Sequence, residues 1–279
     1  MKNYLTDVEG IKVGHAQDYD AMTGCTVIIC EEGASGGIDV RGSAPGTRET
    51  DILKAEKLVD KVHAIVLSGG SAFGLEASSG VANFLEEKDI GFDVGVTKVP
   101  IVSQAVLFDL VLGNHKVRPD KEMGYRACLN ASIEEDRRGN IGAGTGATVG
   151  KALGPDLAMK GGLGSASIQV GDLVVSALVA VNAVGDIYDK GTQIAGPYNK
   201  EEKRLYSTMD YMKEMQNKIG FENTNTTIGV VATNASLSKA QANKMAQVAH
   251  NGYARAINPV HTMSDGDSIF AMATNKIEA

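Results

Sequence analysis

Three features of this 279-residue chain predict an α/β fold: short β-branched apolar runs, helical spacing of apolar residues in several segments, and 33 glycines, many clustered between apolar runs. Such clusters occur where the backbone turns tightly or approaches a ligand. The length suits one large α/β domain or two modest ones, and either can bury a substantial core. The three cysteines, Cys25, Cys30 and Cys128, are odd in number and lack CxxC spacing. That pattern argues against a disulfide framework and a zinc site, and a reducing cytoplasm is the expected compartment. The start, MKNYLTDVEGIKVGH, lacks the apolar core of a signal peptide, and the longest apolar run, around Leu173 to Val184, is too short to span a bilayer and contains Asn182. A soluble protein with no membrane partner is expected. Lys plus Arg number 27 against 34 Asp plus Glu, a net charge of -7, with no dense basic stripe, so nucleic acid is not an expected partner.

The first elements expected are strands separated by glycine turns: Ile11 to Val13, Gly24 to Cys30 and Gly36 to Gly42. In SAPGTRETDILKA, Thr47, Glu49 and Asp51 precede Ile52, Leu53, Leu58 and Val59, which predicts a helix start near Thr50. His63 to Leu67 reads as a buried strand. It runs into the glycine turn SGGSAFG and then helical spacing of Leu75, Ala77, Val81, Phe84 and Leu85. A second apolar passage, Val99 to Leu112, leads to a polar helical region from about Lys121 to Asp136. Leu163 to Tyr188 reads as two strands joined at Gly171-Asp172. Glu201 to Ile219 is expected to be a helix with Leu205, Met209, Met212 and Ile219 on its apolar side, followed by an exposed linker, Asn217 to Asn225, the one strong candidate for an internal boundary. Thr227 to Thr233 reads as a strand, and Ser238 with Gln241 is a capping-box signal for a helix to roughly Ala254. Asp265-Gly266-Asp267 most simply reads as a hairpin turn before a last strand, Ser268 to Thr274.

Candidate chemistry falls at a few positions. Ser71 stands in the strand-turn-helix, but the nucleophile elbow G-x-S-x-G fails because Phe73 occupies the last glycine's place. It is either a close-packed pocket wall or a nucleophile served by a base such as His250. The run GNIGAGTGATVGKALG holds a loose G-x-G-x-x-A, preceded by the charged EEDRRGN instead of a strand, and a phosphate loop would need Gly at Thr145 and Ser or Thr at Ala152. Lys151, which follows, is either a solvated surface cation or electrostatic support in a cleft. Asn182 interrupts an apolar run, so its amide is tied into backbone structure or offers its NH2 to a ligand oxygen. Thr226 sits where turn-forming Glu222 to Asn225 gives way to a β-branched run. Scission of the Asn225-Thr226 bond would place a new α-amine, with an unperturbed pKa of about 8, beside the residue's own hydroxyl, uniting nucleophile and base. An ordinary strand start is the alternative. Asp265 and Asp267 are either turn residues or an acid/base or orienting pair.

Taken together, DVRGSAPGTRETDIL, VLSGGSAFGLEAS, VPIVSQAVLFDL, GNIGAGTGATVGK, VNAVGDIYD, NTTIGVVATNASLSKAQ and SDGDSIFAMAT resemble the DmpA-like family of self-processing N-terminal-nucleophile aminopeptidases and amidases, peptidase family S58. The Asn-Thr-Thr and the late Asp-Gly-Asp look closest to its nylon-oligomer (6-aminohexanoate-oligomer) hydrolase branch. The resemblance implies a four-layer αββα sandwich, similar to N-terminal-nucleophile hydrolases, in a single domain over residues 1–279. It also implies autocleavage at Asn225-Thr226 into an α-chain, 1–225, and a β-chain, 226–279, held together without a covalent link. Homo-oligomers are implied, tetramers being common, as are small peptide or amide substrates and no cofactor or metal. Carried over by position, Thr226 is the nucleophile with its released amine as proton acceptor, and Asn182 is the oxyanion-hole amide. Lys151 is a matching lysine of the nylon-hydrolase branch, and Asp265 and Asp267 are the pair that positions the nucleophile and bonds substrate or amine. Phe108 stands where some relatives carry tyrosine. The rival expectations are a Ser71 hydrolase without processing and a noncatalytic protein that binds a small ligand.

Overall fold

The computed structural model describes residues 1–215 and 225–278. Nine strands hydrogen-bond in one continuous ladder: β1 (Lys12–Asp18), β2 (Thr23–Val40), β3 (Gly46–Arg48), β4 (Lys61–Ser68), β5 (Val102–Val106), β6 (Gly162–Val170), β7 (Leu173–Asn182), β8 (Thr226–Ala235) and β9 (Ser268–Ile277). Their order is β6-β7-β8-β9-β2-β4-β5-β3, with β1 beside β2. The helices are α1 (Ala77–Glu87), α2 (Lys121–Leu129), α3 (Thr208–Met215) and α4 (Lys239–Ala256). No helix among the described residues is long and apolar enough to cross a membrane.

The ladder becomes two stacked layers because β2 belongs to both. Its first part, Thr23 to Ile29, pairs with β1 and, from Cys25, with β4; its last part, Ser35 to Val40, pairs with β9. Between them the register with β4 breaks, and Gly33 takes φ +75°, a conformation open to glycine at little cost. Side chains alternate across each strand. Ile28, Ile65 and Leu67 of one layer meet Ile228, Val230, Phe270 and Met272 of the other in the central core. On the far side of the first layer Val27, Ile29, Ala64 and Val66 pack on Val81 and Leu85 of α1 and Met123 and Ala127 of α2. Val231, Ile269 and Ala271 pack on Ala242, Ala246 and Tyr253 of α4. Helix, sheet, sheet, helix is the predicted αββα order.

Several local expectations change. The strands expected at Gly24–Cys30 and Gly36–Gly42 are one 18-residue strand. No α-helix starts at Thr50: Asp51–Leu53 is a single 3₁₀ turn without a side-chain cap, and Leu58 is 87% exposed while Leu53 is buried, so those apolar positions share no face. Helix α2 stops at Leu129, short of Asp136, because Ser132 N–H bonds Val13 O and draws the chain alongside β1. The helix expected over Glu201 to Ile219 begins only at Thr208, since Arg204–Leu205 pairs with Tyr198–Asn199. Ile219 and the linker as far as Thr224 lie outside the described residues. Asp265-Gly266-Asp267 is not a hairpin, because β9 runs parallel to β8 and antiparallel to β2. The capping box forms as expected: Ser238 N–H donates to Gln241 Oε1 at 2.9 Å, and Ser238 Oγ accepts from Gln241 N–H at 3.3 Å. In the glycine run, Gly142 N–H donates to Gln17 Oε1 and Ala143 N–H to Thr26 Oγ1, so those amides are spent on side chains of β1 and β2.

Candidate active site

Residues far apart in sequence meet because three neighbouring strands end together. Asn182, last in β7, is the antiparallel partner of Thr226, first in β8. Just before β9, Asp265 forms a parallel bridge with Asn225. Both peptide groups flanking Thr226 are held by the Asp265-Gly266-Asp267 segment. Gly266 N–H donates to Asn225 O at 3.2 Å, and Thr227 N–H donates to Asp267 Oδ1 at 2.7 Å. The Thr226 hydroxyl also donates to Asn225 O. Gly266 is required for space: a Cβ there would stand 2.9 Å from Thr226 Oγ1 and 2.8 Å from Ala44 O. The segment is strapped from behind, since Asp265 O accepts from Ala44 N–H at 2.8 Å and Asp267 O from Arg41 N–H at 3.0 Å.

The two carboxylates differ. Asp267, 2% exposed, accepts at Oδ2 from His261 N–H at 3.2 Å and lies 2.8 Å from His261 Nδ1. An ionised carboxylate only accepts, so the proton of that contact sits on Nδ1. Asp265 accepts at Oδ2 from Thr262 N–H at 2.7 Å, while its buried Oδ1 has no hydrogen-bond partner among the described residues. Burial, with the nearby Asp267 charge, raises the Asp265 pKa, against the opposing pull of Thr262 and Lys151.

Asn182 is fully buried and tied into backbone structure. Its Oδ1 accepts from Thr148 N–H and from Lys151 Nζ, both at 2.9 Å, and its Nδ2 donates to Phe108 O at 2.9 Å. Lys151 Nζ also donates to Asn182 O at 2.9 Å. The lysine is therefore a half-buried group anchored on Asn182, and burial pulls its pKa down to about 7 against the opposing charges of Asp265 and Asp109.

Thr226 opens onto a cleft of about 170 Å³ whose walls include Pro45, Ser71, Val106 and Phe108. Ser71 reaches it from the turn after β4 at φ +52°, its N–H bonded to Leu107 O at 3.0 Å. His250, the base considered for Ser71, lies on α4 with Nε2 3.0 Å from Asp39 O and is not among the residues lining the cleft. Among the described residues no three His, Cys, Asp or Glu side chains gather into a metal set.

Sequence reasoning passed over one side chain, that of Asp109, and two main-chain contributions, from Phe108 and Gly266. Asp109, 2% exposed, accepts from Thr23 Oγ1 and Gly70 N–H, both at 2.7 Å. Burial raises its pKa, and the Lys151 charge opposes that rise. A carboxylate inside the apolar passage VLFDLVL is the available signal. Phe108 acts through its carbonyl and Gly266 through its amide. Backbone groups carry no residue identity, so neither can be read from the chain.

A solved L-aminopeptidase D-Ala-esterase/amidase from Ochrobactrum anthropi, described as a variant of the Ntn hydrolase fold, superposes with a TM-score of 0.75 over 98% of this chain and 74% of that one, at 18% identity. The fold is thus of the Ntn-hydrolase type. Closer in sequence are an uncharacterized aminopeptidase of Mycobacterium leprae, 41% identical across 99% of this chain and 80% of that protein, and a 6-aminohexanoate-oligomer endohydrolase of Agromyces, 34% identical across 98% and 75%. The family model for peptidase family S58 matches residues 3–279. The chain belongs to peptidase family S58 and is a hydrolase of peptide or amide bonds.

Proposed function

We propose that this hydrolase cleaves itself at Asn225-Thr226 and then uses Thr226 as an N-terminal nucleophile. The observation that carries the reading is the double hold on Thr226: the preceding carbonyl bonded by Gly266 N–H, and the following N–H bonded by Asp267. In the first step Thr226 Oγ attacks the Asn225 carbonyl carbon, and the oxyanion that develops is on the oxygen Gly266 already contacts. Collapse breaks the C–N bond, the hydroxyl proton ends on the departing amine, and an ester links Asn225 to Thr226 Oγ. Water hydrolyses it, leaving chains 1–225 and 226–279 of one folded domain. In turnover the freed amine accepts the Oγ proton as the hydroxyl attacks a substrate amide. The amine product leaves, and water releases the acid from the acyl-threonine. Asn182 serves as oxyanion donor through its Nδ2 amide, which also bonds Phe108 O, while Lys151 fixes its Oδ1. Asp267 orients the strand start, and Asp265, whose Oδ1 has no hydrogen-bond partner among the described residues, is suited to bond an ammonium.

The substrates proposed are small peptides with D- or β-amino N-termini or oligomers of ω-amino acids. The likeness to a 6-aminohexanoate-oligomer endohydrolase supports the latter. A homotetramer of processed units in the cytoplasm completes the proposal, with no cofactor in either step. Intact mass of the purified protein tests it: two fragments meeting at residues 225 and 226 are expected, and a fully active single chain would exclude it. One observation keeps the Ser71 hydrolase in view, namely that Ser71 lines the same cleft. For that reading Ser71→Ala abolishes hydrolysis and Thr226→Ala spares it.

A further inference from the structure

Behind Asp267 stands a histidine that neither the sequence motifs nor the steps above employ. His261 takes φ +55°, in the left-handed region that non-glycine residues occupy at a cost. That conformation directs its own N–H and its ring Nδ1 onto one oxygen, Asp267 Oδ2, at 3.2 and 2.8 Å. The other oxygen, Oδ1, holds Thr227 N–H. The ring is only 18% exposed in its side chain and stands edge-on to His250, centroids 4.9 Å apart, with Tyr253 at 6.3 Å. Its Nε2 is buried and has no hydrogen-bond partner among the described residues. The groups facing it are therefore Asp267 from the approach to β9 and His250 and Tyr253 from α4, with Asp39 of β2 beyond His250.

A carboxylate held through one oxygen can still swing about its own axis; donors on the second oxygen remove that freedom. We infer that His261 is a positioning residue for Thr226: its ring locks the Asp267 carboxylate, and the locked carboxylate fixes the Thr226–Thr227 peptide from which the nucleophile projects. The inference rests on the Thr226 reading. A rival structural role is packing alone, the ring serving as filler between Asp267 and α4.

Two substitutions in the full chain separate these roles. His261→Gly keeps the left-handed backbone and the main-chain N–H but removes the ring donor. His261→Asn also tolerates positive φ and places an amide N–H near the position of Nδ1, yet it leaves most of the ring's space against His250 and Tyr253 empty. The glycine variant is expected to slow both scission at Asn225-Thr226 and kcat on an aminoacyl amide by roughly ten- to a hundredfold, the scale of one hydrogen bond to a charged group, with KM within about threefold. The asparagine variant is expected to recover both rates to within about threefold of wild type. The inference is overturned if the glycine variant splits and turns over like wild type, or if asparagine is as slow as glycine. Failure of the Thr226 reading shows differently, as a wild-type chain that stays whole or a Thr226→Ala chain that still splits, and it removes the inference as well.

Discussion

Two hydroxyls reach one cleft from opposite layers of the sandwich. Ser71 comes from the turn after β4, and Thr226 begins β8. Both lie near the end of a strand, yet their surroundings differ in kind. At Ser71 the polar groups serve the turn: Gly70 N–H is spent on Asp109 and Ser71 N–H on Leu107 O. At Thr226 they bracket the residue itself, with a donor on the carbonyl before it and a carboxylate on the N–H after it. A cation that loses its proton at about 7 stands one residue pair away, on Asn182. Access to a cleft does not distinguish a nucleophile from a wall; preorganised groups around the bonds to be made and broken do.

The largest expected effect breaks the comparison outright. Thr226→Ala should remain one chain and lose about four orders of magnitude or more in kcat, the scale seen when a nucleophile is removed. Ser71→Ala should still split and stay within about tenfold of wild-type kcat, as for a wall residue that is not a nucleophile. Mass spectrometry and turnover on an amide substrate check both, and exchanged outcomes would transfer the chemistry to Ser71. Next in size, Asn182→Ala should reduce kcat by about a hundred- to a thousandfold, as loss of one oxyanion donor does. Because Asn182 also carries Thr148 and Lys151, the variant's melting temperature must be read beside its rate; a folded variant with unchanged kcat would remove Asn182 from the site.

Much of this architecture is legible in the chain, and the exceptions share a cause. Short β-branched apolar runs bounded by turn residues reveal most strands, and the spacing from Leu75 to Leu85 reveals α1. What pattern cannot show is that EEGASGG continues a strand: the break at Gly33, which divides the ladder into two layers, has the same residue types as a turn. Thr47 to Asp51 resembles a helix start because polar residues precede apolar ones, but burial, visible only in three dimensions, falls on Leu53 and spares Leu58. For the site, Asn182, Lys151, Asp265 and Asp267 stand out as polar interruptions or motif positions, and the fold does gather them around Thr226. The partners that define their geometry are mostly main-chain atoms: Gly266 N–H, Thr227 N–H, Phe108 O and Thr148 N–H.

A third test uses the proton that distinguishes the Thr226 side of the cleft. Burial depresses Lys151 from 10.5 to about 7 in the folded chain, so between those values the unfolded chain binds the extra proton and stability rises with pH. The cost of burying the charged form is fully present below about 7 and fades toward 10.5. Lys151→Met should therefore be more stable than wild type at pH 6, and its advantage should shrink by on the order of 4 kcal/mol by pH 10. Urea midpoints of both proteins at the two pH values check this. An advantage independent of pH would mean that Lys151 keeps its ordinary proton affinity, leaving the Thr226 side no more tunable than the Ser71 side.

The smallest effect lies in the Ser71 layer, where the buried titrating group serves folding. His15 of β1 is 2% exposed, with Nδ1 2.9 Å from Thr26 Oγ1 and Nε2 3.2 Å from Tyr4 Oη. Burial lowers its pKa from 6.5 to about 4, Glu135 pulling the other way. The neutral ring's contribution is complete above 6.5 and is lost as pH falls toward 4, because the unfolded chain takes up the proton first. Wild type should lose about 3 kcal/mol or less from this group between pH 7 and 4, and His15→Gln, which cannot titrate, should show a correspondingly shallower acid slope in urea midpoints. Equal slopes would show that the acid sensitivity of this layer resides in other groups. A shallower slope with unchanged scission at Asn225-Thr226 would show that the His15 titration acts on folding and not on the chemistry at Thr226.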